Sequence, residues 1–417
     1  MASRQVFRAR WVLPISEPPI HDGWVAIEAG RIQSVGPTFR SGVSDSGNIH
    51  DSGNVRDLGD VAILPGLVNA HTHLELSYLH ERIPSTKGFG VWVREVMHTR
   101  RQYPDTSDPR ILEPARQAVA DARAAGTALF GDISNTLATV RLLRDAGMPA
   151  QVFHELTGFT EQNPDARVQE ARARADTLGG SGDVRVSVAP HAPYSVSAAL
   201  FKAIRADLDR HPNAVSSVHL GETPEEVELL RAGTGEIRTV LEELGRWPDD
   251  WRAPGVGPVE YLATLGVLDP RMLVVHGVQF SDEDLDRLRV LGSTVVSCPR
   301  SNVHVGVGAP PLQRFYDSAV PVAFGTDSLA SVGDLNVFSE LAEARRLAPA
   351  VPARRLLESA TKIGARALGF GDDFGTIEPG KRAALIAVQV PADTTDVEEY
   401  LVSGILPRSI RVLEFGV

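Results

Sequence analysis

The sequence predicts an α/β fold, a (β/α)8 TIM barrel with a small β-sandwich domain built from both chain ends. Three observations support this prediction. Eight short apolar segments recur between positions 61 and 328, and each has polar residues at its C-terminal end. Helical patterns rich in Ala, Arg, Glu and Leu separate the segments, and such alternation is typical of a parallel sheet. The 417 residues, 43% of them hydrophobic, suffice to bury a full-sized core.

Both ends of the chain are predicted to be β structure. Residues 24–28 and 31–35 alternate apolar and polar side chains around an Ala-Gly pair, which predicts a hairpin. Residues 41–54 are rich in Gly, Ser, Asp and Asn, which is typical of a long surface loop. Because neither end can bury a core alone, we expect residues 1–61 and 371–417 to pack together as one small β-domain.

The segments between the ends supply the barrel, which we expect to occupy residues 62–370. Among the intervening helices, the one at 281–291 has a predicted cap, since Ser281 stands three residues before Asp284. In a (β/α)8 barrel the active site lies at the C-terminal ends of the strands, so functional residues are expected there. The predicted strands cover residues 61–73, 127–133, 149–156, 184–193, 215–222, 272–278, 293–302 and 320–328.

Composition excludes several classes of protein. The formal net charge is −11, and no Lys/Arg cluster with interleaved aromatic residues stands out, so neither nucleic acid nor an anionic membrane is an expected partner. No apolar run approaches the roughly 20 residues of a membrane span, and the N-terminal residues lack the apolar stretch of a signal peptide. One cysteine excludes an internal disulfide framework and suits a reducing cytoplasm, where we expect the protein.

Polar residues at the predicted strand ends form the candidate site. His71 and His73 lie on one side of an extended segment, because strand side chains alternate, and both can bind one ion. His219 supplies a third nitrogen and Asp327 an oxygen, a ligand set that suits Zn²⁺, with Fe²⁺ as the alternative. The full set of polar residues at the strand ends is His71, His73, Glu155, His191, His219, Glu222, His276, Asn302 and Asp327.

Several of these residues stand in motifs that resemble a known family. PGLVNAHTHLELS, HLGETPEE, VVHGV, SCPRSN and GTDSLAS, in this order, resemble the amidohydrolase superfamily, and more narrowly its branch of deaminases and chlorohydrolases acting on nitrogen heterocycles. The likeness covers nearly the whole chain. It implies a site for one metal ion, and His191 at the fourth strand end, where no carbamylated lysine is evident, argues against the binuclear branch. The residues that match the metal ligands are His71, His73, His219 and Asp327.

The resemblance also implies which residues carry the chemistry. Glu222 matches the proton-shuttling glutamate, and His276 matches the histidine that hydrogen-bonds the attacking water. A cation lowers the pKa of bound water from about 15.7 to about 7, so hydroxide is available at neutral pH, and Asp327 can accept the water's proton. Glu222 can protonate a ring nitrogen while hydroxide attacks the adjacent carbon, which then expels ammonia. We therefore expect Glu222, His276 and Asp327 to be catalytic.

Four residues are expected on the substrate side of the site, each with a structural alternative. His191 stands in a PHxPY-like segment that contacts the purine ring in nucleoside deaminases of the superfamily, and otherwise it is a core histidine. Glu155 orients a metal ligand, touches substrate, or forms a structural ion pair. Arg300 grips a substrate carboxylate or lies exposed at the surface. Trp92 covers a flat heterocycle or packs in the core.

Three functional hypotheses follow. The first is hydrolytic deamination of an amino-substituted nitrogen heterocycle, and the resemblance implies small-molecule substrates such as aminodeoxyfutalosine, S-adenosylhomocysteine, methylthioadenosine or guanine. The second keeps the metal site and changes the leaving group, as in a chlorohydrolase, an N-dealkylating enzyme or a cyclic-amide hydrolase. The third is a non-catalytic barrel scaffold, which predicts loss of a metal ligand or of Glu222, whereas all are present. A homo-oligomer is compatible with the sequence, but no apolar stripe predicts its interface.

Overall fold

A computed structural model shows how these segments fold, for residues 4–37, 55–85, 88–179 and 182–414. The loop predicted at 41–54 lies outside the described residues. Strands are numbered in chain order. They are β1 (Gln5–Val12), β2 (Ile20–Glu28), β3 (Arg31–Pro37), β4 (Val55–Asp57), β5 (Val61–Pro65), β6 (Leu67–Thr72), β7 (Thr127–Ser134), β8 (Ala150–Leu156), β9 (Val184–Pro190), β10 (Ser216–Leu220), β11 (Met272–His276), β12 (Thr294–Ser297), β13 (Val322–Phe324), β14 (Leu385–Gln389) and β15 (Ile410–Val412).

The helices are numbered in the same way. Two short 3-10 turns lie at Leu74–Leu79 and Pro407–Ser409, and a π-helical turn lies at Ser359–Ile363. The α-helices are α1 (Phe89–Arg101), α2 (Pro109–Ala124), α3 (Thr139–Asp145), α4 (Pro164–Gly179), α5 (Ala198–Arg210), α6 (Pro224–Ala232), α7 (Glu236–Glu243), α8 (Pro258–Thr264), α9 (Asp282–Leu291), α10 (Pro299–Val305), α11 (Leu312–Asp317), α12 (Val337–Leu347), α13 (Ala353–Glu358), α14 (Gly364–Ala367) and α15 (Val397–Leu401).

One seven-stranded sheet joins both ends of the chain. Its order is β15-β14-β5-β1-β2-β3, and β4 pairs with β1. The predicted hairpin is confirmed, because β2 and β3 are antiparallel and Ala29 and Gly30 turn between them with positive φ. The described strands of this unit lie in a single sheet. The second layer of a sandwich and the domain limits at 61 and 371 stay predictions.

The barrel is confirmed as the parallel strands β6 to β13, which form two four-stranded halves. One half has the order β6-β7-β8-β9 and the other has the order β10-β11-β12-β13. Backbone hydrogen bonds close both seams: the His219 N–H donates to the His191 carbonyl at 2.8 Å, and the Asp327 N–H donates to the His71 carbonyl at 3.0 Å. Four predicted site residues therefore help to close the barrel, which fixes their backbones at its C-terminal edge.

Two predicted strands differ from the structure. The first, predicted at 61–73, divides at Gly66 into β5, which joins the seven-stranded sheet, and β6, which joins the barrel. A Cβ on Gly66 would approach the Cβ of Ala128 to 2.4 Å, so this transition needs a glycine. The seventh, predicted at 293–302, ends earlier with β12, because Pro299 begins helix α10.

Helix boundaries follow the expected signals. Helix α9 begins with the predicted capping box, in which the side chains of Ser281 and Asp284 each accept a hydrogen bond from the other's backbone N–H. Helix α10 carries Arg300 and Asn302, which were expected at a strand end. Across the part of the chain described above, no helix is both long and apolar enough to cross a lipid bilayer.

Candidate active site

Four side chains predicted to bind a metal meet at the C-terminal edge of the barrel. His71 lies near the end of β6, His73 follows that strand, His219 lies in β10 and Asp327 follows β13. The Nε2 atoms of His73 and His219 are 3.3 Å apart. Asp327 Oδ1 lies 3.6 Å from His73 Nε2 and 3.9 Å from His71 Nε2. Three strands far apart in sequence therefore direct three imidazoles and one carboxylate into one small volume.

The chemistry of these donors fits a single divalent cation. His71 is fully buried, and neither of its ring nitrogens has a hydrogen-bond partner among the described residues. Burial, with the neighbouring imidazoles, holds the pKa of His71 and of His73 well below the usual value, so both rings are neutral and offer lone pairs. Leaving buried nitrogens unpaired costs free energy, and coordination to a cation removes that cost.

The backbone at Asp327 is shaped by its approach to His71. Asp327 has a φ of +62°, and a Cβ on Gly325 would come within 2.7 Å of the His71 carbonyl oxygen, so only glycine fits there. The Asp327 carboxylate accepts hydrogen bonds from Ser301 Oγ at 2.6 Å and from the Ser328 N–H at 2.7 Å. Burial nevertheless raises the pKa of Asp327 to about 6. The two bonds fix the carboxylate with one oxygen towards the histidines.

His276 is held as a hydrogen-bond donor. It ends β11 with a φ of +78°, a strained conformation that non-glycine residues rarely adopt outside functional sites. Asn302 Nδ2 donates to His276 Nδ1 at 3.0 Å. Burial keeps the pKa of His276 well below its usual value, so the ring is neutral and its one proton is on Nε2. That Nε2 lies 3.8 Å from Glu222 Oε1, so the N–H faces the site.

Glu222 is a buried carboxyl that follows a sharp turn after β10. Gly221, with a φ of +62°, makes the turn, and a Cβ there would approach the Phe280 ring to 2.5 Å. Glu222 is 5% exposed. Burial raises its pKa well above the usual value, and the negative charge of the nearby Asp327 raises it further. The raised pKa favours the protonated form of Glu222, which can act as an acid.

His191 presents a hydrogen-bond acceptor. Its Nδ1 lies 2.5 Å from Ser195 Oγ, and Ser195 in turn donates to the Ala192 carbonyl at 3.1 Å. Because the Ser195 hydroxyl donates its only proton to the Ala192 carbonyl, it can only accept from His191. The proton of the His191 ring is therefore on Nδ1, and Nε2 keeps its lone pair. Burial lowers the pKa of His191 to about 4, so the ring is neutral. The His191 and His219 ring centroids are 5.0 Å apart, which places the acceptor beside the predicted ligands.

Glu155 contacts a predicted metal ligand directly. Its Oε1 lies 3.4 Å from His219 Nδ1, and its Oε2 accepts a hydrogen bond from Asn135 Nδ2 at 2.8 Å. A proton on His219 Nδ1 leaves Nε2 free as a metal ligand. The hydrogen-bond partner of His219 Nδ1 is the His191 carbonyl, at 3.2 Å. The role of the nearby Glu155 in orienting His219 stays a prediction. The preceding His154 points to the backbone of α4, at the Ala171 carbonyl, as expected for a structural residue.

Arg300 is committed to other protein groups, which corrects the prediction that it grips a substrate carboxylate. Its Nε donates to Glu340 Oε1 at 2.6 Å, and its Nη1 donates to Asp334 Oδ1 at 2.9 Å. Its Nη2 donates to the carbonyl of Asp334 at 2.9 Å. Glu340 is fully buried. Every nitrogen of the guanidinium thus has an acceptor in Asp334 or Glu340, and these bonds join α10 to α12 and to the segment before it. Arg300 is therefore not a substrate-binding residue in this structure.

Replacing Arg300 with alanine is expected to destabilise the fold by about 3 kcal/mol, because it leaves the Glu340 carboxyl buried without its partner. The measurement is urea-induced unfolding followed by circular dichroism. The matched control is the double variant Arg300→Ala, Glu340→Leu, which removes both charges and should recover most of the loss. A variant with unchanged stability and a raised KM would instead restore the substrate-binding role.

Trp92 belongs to an aromatic series that ends at the site. It lies in α1, where its ring stacks near that of Phe89 with centroids 6.4 Å apart. Phe89 contacts Tyr194 edge-on at 5.8 Å, and Tyr194 contacts His191 in the same way at 5.6 Å. Trp92 is partly buried against the apolar cluster that contains Phe89 and Tyr194. It also packs against a second apolar cluster that contains Leu76 and Tyr78, so it lies between that cluster and the aromatic wall behind His191.

Comparison with known proteins identifies the family. Residues 62–406 match the amidohydrolase family, and the chain belongs to that family. The resemblance stated from the motifs is confirmed, and so is the predicted enzyme class, a hydrolase that acts on carbon–nitrogen bonds.

Curated relatives match most of the chain. A 5-methylthioadenosine/S-adenosylhomocysteine deaminase of Teredinibacter turnerae is 30% identical over 404 residues, which cover 92% of this chain and 83% of the relative. An aminodeoxyfutalosine deaminase of Deinococcus radiodurans is 33% identical over 325 residues, which cover 74% of this chain and 73% of the relative.

Solved structures share the fold. An adenosine deaminase from Xanthomonas campestris with bound zinc superposes with a TM-score of 0.80 at 26% identity, covering 97% of this chain and 90% of the other. The Helicobacter pylori aminofutalosine deaminase, in complex with methylthio-coformycin, also has a TM-score of 0.80, at 22% identity and 95% coverage of each chain. The latter likeness concerns the fold alone.

Proposed function

We propose that the protein is a metal-dependent aminohydrolase that removes the amino group from the ring of an adenosine-like nucleoside. The observation that carries the proposal is the buried Glu222 carboxyl, whose Oε1 lies 3.8 Å from His276 Nε2 beside a cluster of side chains that could hold a metal ion. Burial raises the pKa of Glu222, which favours the protonated acid. Hydrolytic deamination needs an acid for the ring nitrogen and a donor for the entering oxygen, and these residues supply both. The two curated relatives described above are named as deaminases of nucleosides, which supports the same reaction.

The metal proposal concerns one ion. His71, His73, His219 and Asp327 would hold it, and we propose Zn²⁺ because a nitrogen-rich set with one carboxylate suits zinc. A bound cation lowers the pKa of a coordinated water to about 7 and so makes hydroxide available at neutral pH. The bound zinc named for the Xanthomonas campestris structure supports this choice over Fe²⁺.

The protein's own residues move the protons. Glu222, as a neutral acid, donates its proton to the ring nitrogen next to the amino-bearing carbon. His276 donates its Nε2–H to the oxygen that adds to this carbon and stabilises the negative charge that develops there. Asp327 accepts a proton from the attacking water. The proton on Asp327 passes to the amino group, which leaves as ammonia. The proton of the added hydroxyl returns to Glu222, so a ring carbonyl remains and the acid is regenerated.

Recognition of the heterocycle is proposed for the other side of the site. His191 Nε2 accepts a hydrogen bond from an N–H or O–H group of the substrate, because its own proton is held at Nδ1 by Ser195. Trp92 supports the aromatic wall behind His191, and Glu155 holds His219 in the orientation that binds the ion. The small heterocyclic partner is thus a nucleoside. The cytoplasmic location, the homo-oligomer and the exclusion of nucleic acid stay predictions.

Ammonia release tests the proposed function. The zinc-loaded protein is assayed with adenosine, 5′-deoxyadenosine, methylthioadenosine, S-adenosylhomocysteine, aminodeoxyfutalosine and guanine, and release from at least one nucleoside is expected. Chlorinated and N-alkylated triazines in the same assay, with chloride and alkylamine measured, address the alternative leaving groups. Absence of ammonia from every member, with one bound metal per chain, would contradict the proposal.

Asn302→Leu is expected to lower kcat by about 10- to 100-fold, because the His276 ring loses the donor that keeps its proton on Nε2. KM and metal content should stay close to those of the wild type, since Asn302 is not a predicted ligand. Steady-state kinetics and metal analysis measure both quantities. A proportional fall in metal content and kcat would show that Asn302 acts on the ligands instead of on His276.

A further inference from the structure

A second glutamate lies directly behind the proposed proton donor. Glu226 is in helix α6, four residues after Glu222, and it is fully buried. No salt bridge to it occurs among the described residues, and its Oε1 is buried without a hydrogen-bond partner there. A buried carboxyl without a cation is costly to the fold, and a leucine or glutamine would fill the same volume at lower cost. Such a local conflict marks a residue with a role in function.

The other oxygen of Glu226 holds the turn that carries Glu222. Glu226 Oε2 accepts a hydrogen bond from the backbone N–H of Glu222 at 3.2 Å, and the Gly221 N–H is also directed at the carboxyl. This turn has the left-handed φ of +62° at Gly221 described above. Both amides would otherwise be buried donors without a strand partner, because β10 has ended. The Glu226 side chain therefore fixes the direction in which the Glu222 side chain leaves the turn.

We propose that Glu226 is a positioning residue for Glu222: as an uncharged acid, it anchors the Gly221–Glu222 turn so that the Glu222 carboxyl faces His276 and the substrate ring. The inference rests on the proposed function, in which Glu222 is the proton donor. Glu226 itself touches neither the substrate nor the predicted metal ligands in this arrangement. Its carbonyl oxygen accepts from the backbone amides, and the hydroxyl occupies the buried Oε1 position.

The electrostatics of the surrounding groups agree with an uncharged Glu226. Burial raises the pKa of Glu226 to about 8. The two backbone hydrogen bonds lower this pKa, but they offset only part of the effect of burial. Among the residues that the structure describes, the ionisable groups coupled to it are Glu222 and Tyr194, and a charge on Glu226 raises the pKa of both. Both neighbours are acids and neither supplies a positive charge. An ionised Glu226 would thus be unpaired and would repel an ionised Glu222 during turnover.

Two substitutions separate the roles of the acceptor and of the charge. Glu226→Gln keeps a carbonyl acceptor for the backbone amides and cannot ionise, whereas Glu226→Leu fills a similar volume with no acceptor. The expected result is a kcat for Glu226→Leu at least about 10-fold below that of the wild type, with KM within about twofold and bound metal unchanged. Glu226→Gln should restore kcat to within about threefold. Glu228→Gln, an exposed change on the same helix, is the control that should leave all three quantities unchanged.

A stability readout does not depend on turnover. Because the folded pKa of Glu226 (about 8) lies above the ordinary value of 4.5, the folded chain keeps the proton across this window while the unfolded chain releases it. Unfolding then releases a proton, so wild-type stability falls as pH rises from 4.5 to about 8. Glu226→Gln lacks this titration, so its Tm advantage over the wild type should grow between pH 5 and pH 8. Glu228→Gln should show a constant Tm difference.

The outcomes decide the proposal separately from the proposed function. Wild-type kcat in a folded, metal-loaded Glu226→Leu overturns the positioning role, and so does a Glu226→Gln protein as impaired as Glu226→Leu. If Glu226→Leu does not fold, the kcat of Glu226→Gln and its pH-dependent Tm decide, and a Tm difference that is constant with pH overturns the uncharged state. If the wild type itself deaminates nothing, the proposed function has failed, and the Tm measurement still decides the protonation state of Glu226.

Discussion

Glu222→Gln is expected to lower kcat by about 10³-fold, the largest loss that a single non-ligand residue should cause. Glutamine has the shape of a protonated glutamate and can hold a similar hydrogen bond to the substrate, but it cannot transfer a proton to the ring nitrogen. KM should therefore change little. Bound metal should stay at one ion per chain, because Glu222 is outside the proposed ligand set.

The pH dependence of the wild type checks the same role. Burial raises the pKa of Glu222, and the protonated form is the one that donates, so activity should fall as pH rises through the raised pKa. The residual activity of Glu222→Gln should lack this alkaline loss. Glu228→Gln again serves as the matched control. A Glu222→Gln protein with more than a tenth of wild-type kcat would mean that another group supplies the proton.

The ligand set could be predicted from the sequence because a parallel barrel brings its strand ends together. His71 and His73 lie at and just after the end of β6, His219 lies near the end of β10, and Asp327 follows β13, so the fold alone places them at one edge. The backbones of His71, His219 and Asp327 also form the hydrogen bonds that close the barrel seams, such as Asp327 N–H to the His71 carbonyl. The position of these residues therefore depends on topology, which the alternation of strands and helices predicts.

The role of a residue that depends on a hydrogen-bond or ion-pair partner elsewhere in the chain could not be predicted from strand order. Arg300 stands in the SCPRSN motif, but its use depends on Glu340, which is forty positions later and fully buried. Ser301 has an equally plain sequence signal, and only its hydrogen bond to Asp327 reveals that it orients the carboxylate. Glu226 reads as a solvated charge at a helix start until its burial is known. In each case tertiary packing, which periodicity does not encode, selects the partner.

The predicted strand at 61–73 differs from the structure for a similar reason, because tertiary packing decides where it divides. The apolar run from 61 to 73 reads as one strand, because both its halves are buried, one in each sheet. The break at Gly66 depends on the approach of Ala128 from the neighbouring strand β7, a contact that the run itself does not show. Periodicity therefore predicted the existence of the strand and its burial, and packing between the two sheets decided where it divides.

Removal of the metal, or His71→Ala, is expected to abolish turnover and to lower Tm by several degrees. The ion would stabilise the folded state by about 2.7 kcal/mol at a free concentration 100 times its Kd, since the unfolded chain has no assembled site. Among the four predicted ligands, His71 gives the strongest evidence for a metal ion, because both its ring nitrogens are buried without a hydrogen-bond partner in the described residues. The measurements are metal analysis and Tm before and after dialysis against a chelator.

The response to added metal distinguishes the ion from a merely structural histidine cluster. Zinc added to the chelated wild type should restore activity and raise Tm with concentration, whereas zinc added to His71→Ala should do neither. His154→Ala is the control, because that ring points to the backbone of α4 and its loss should leave metal content unchanged. Restoration by Fe²⁺ and not by zinc would change the proposed ion and keep the site. A chelated protein with full activity would mean that the four residues pack against one another for stability alone, and that the hydroxide comes from elsewhere.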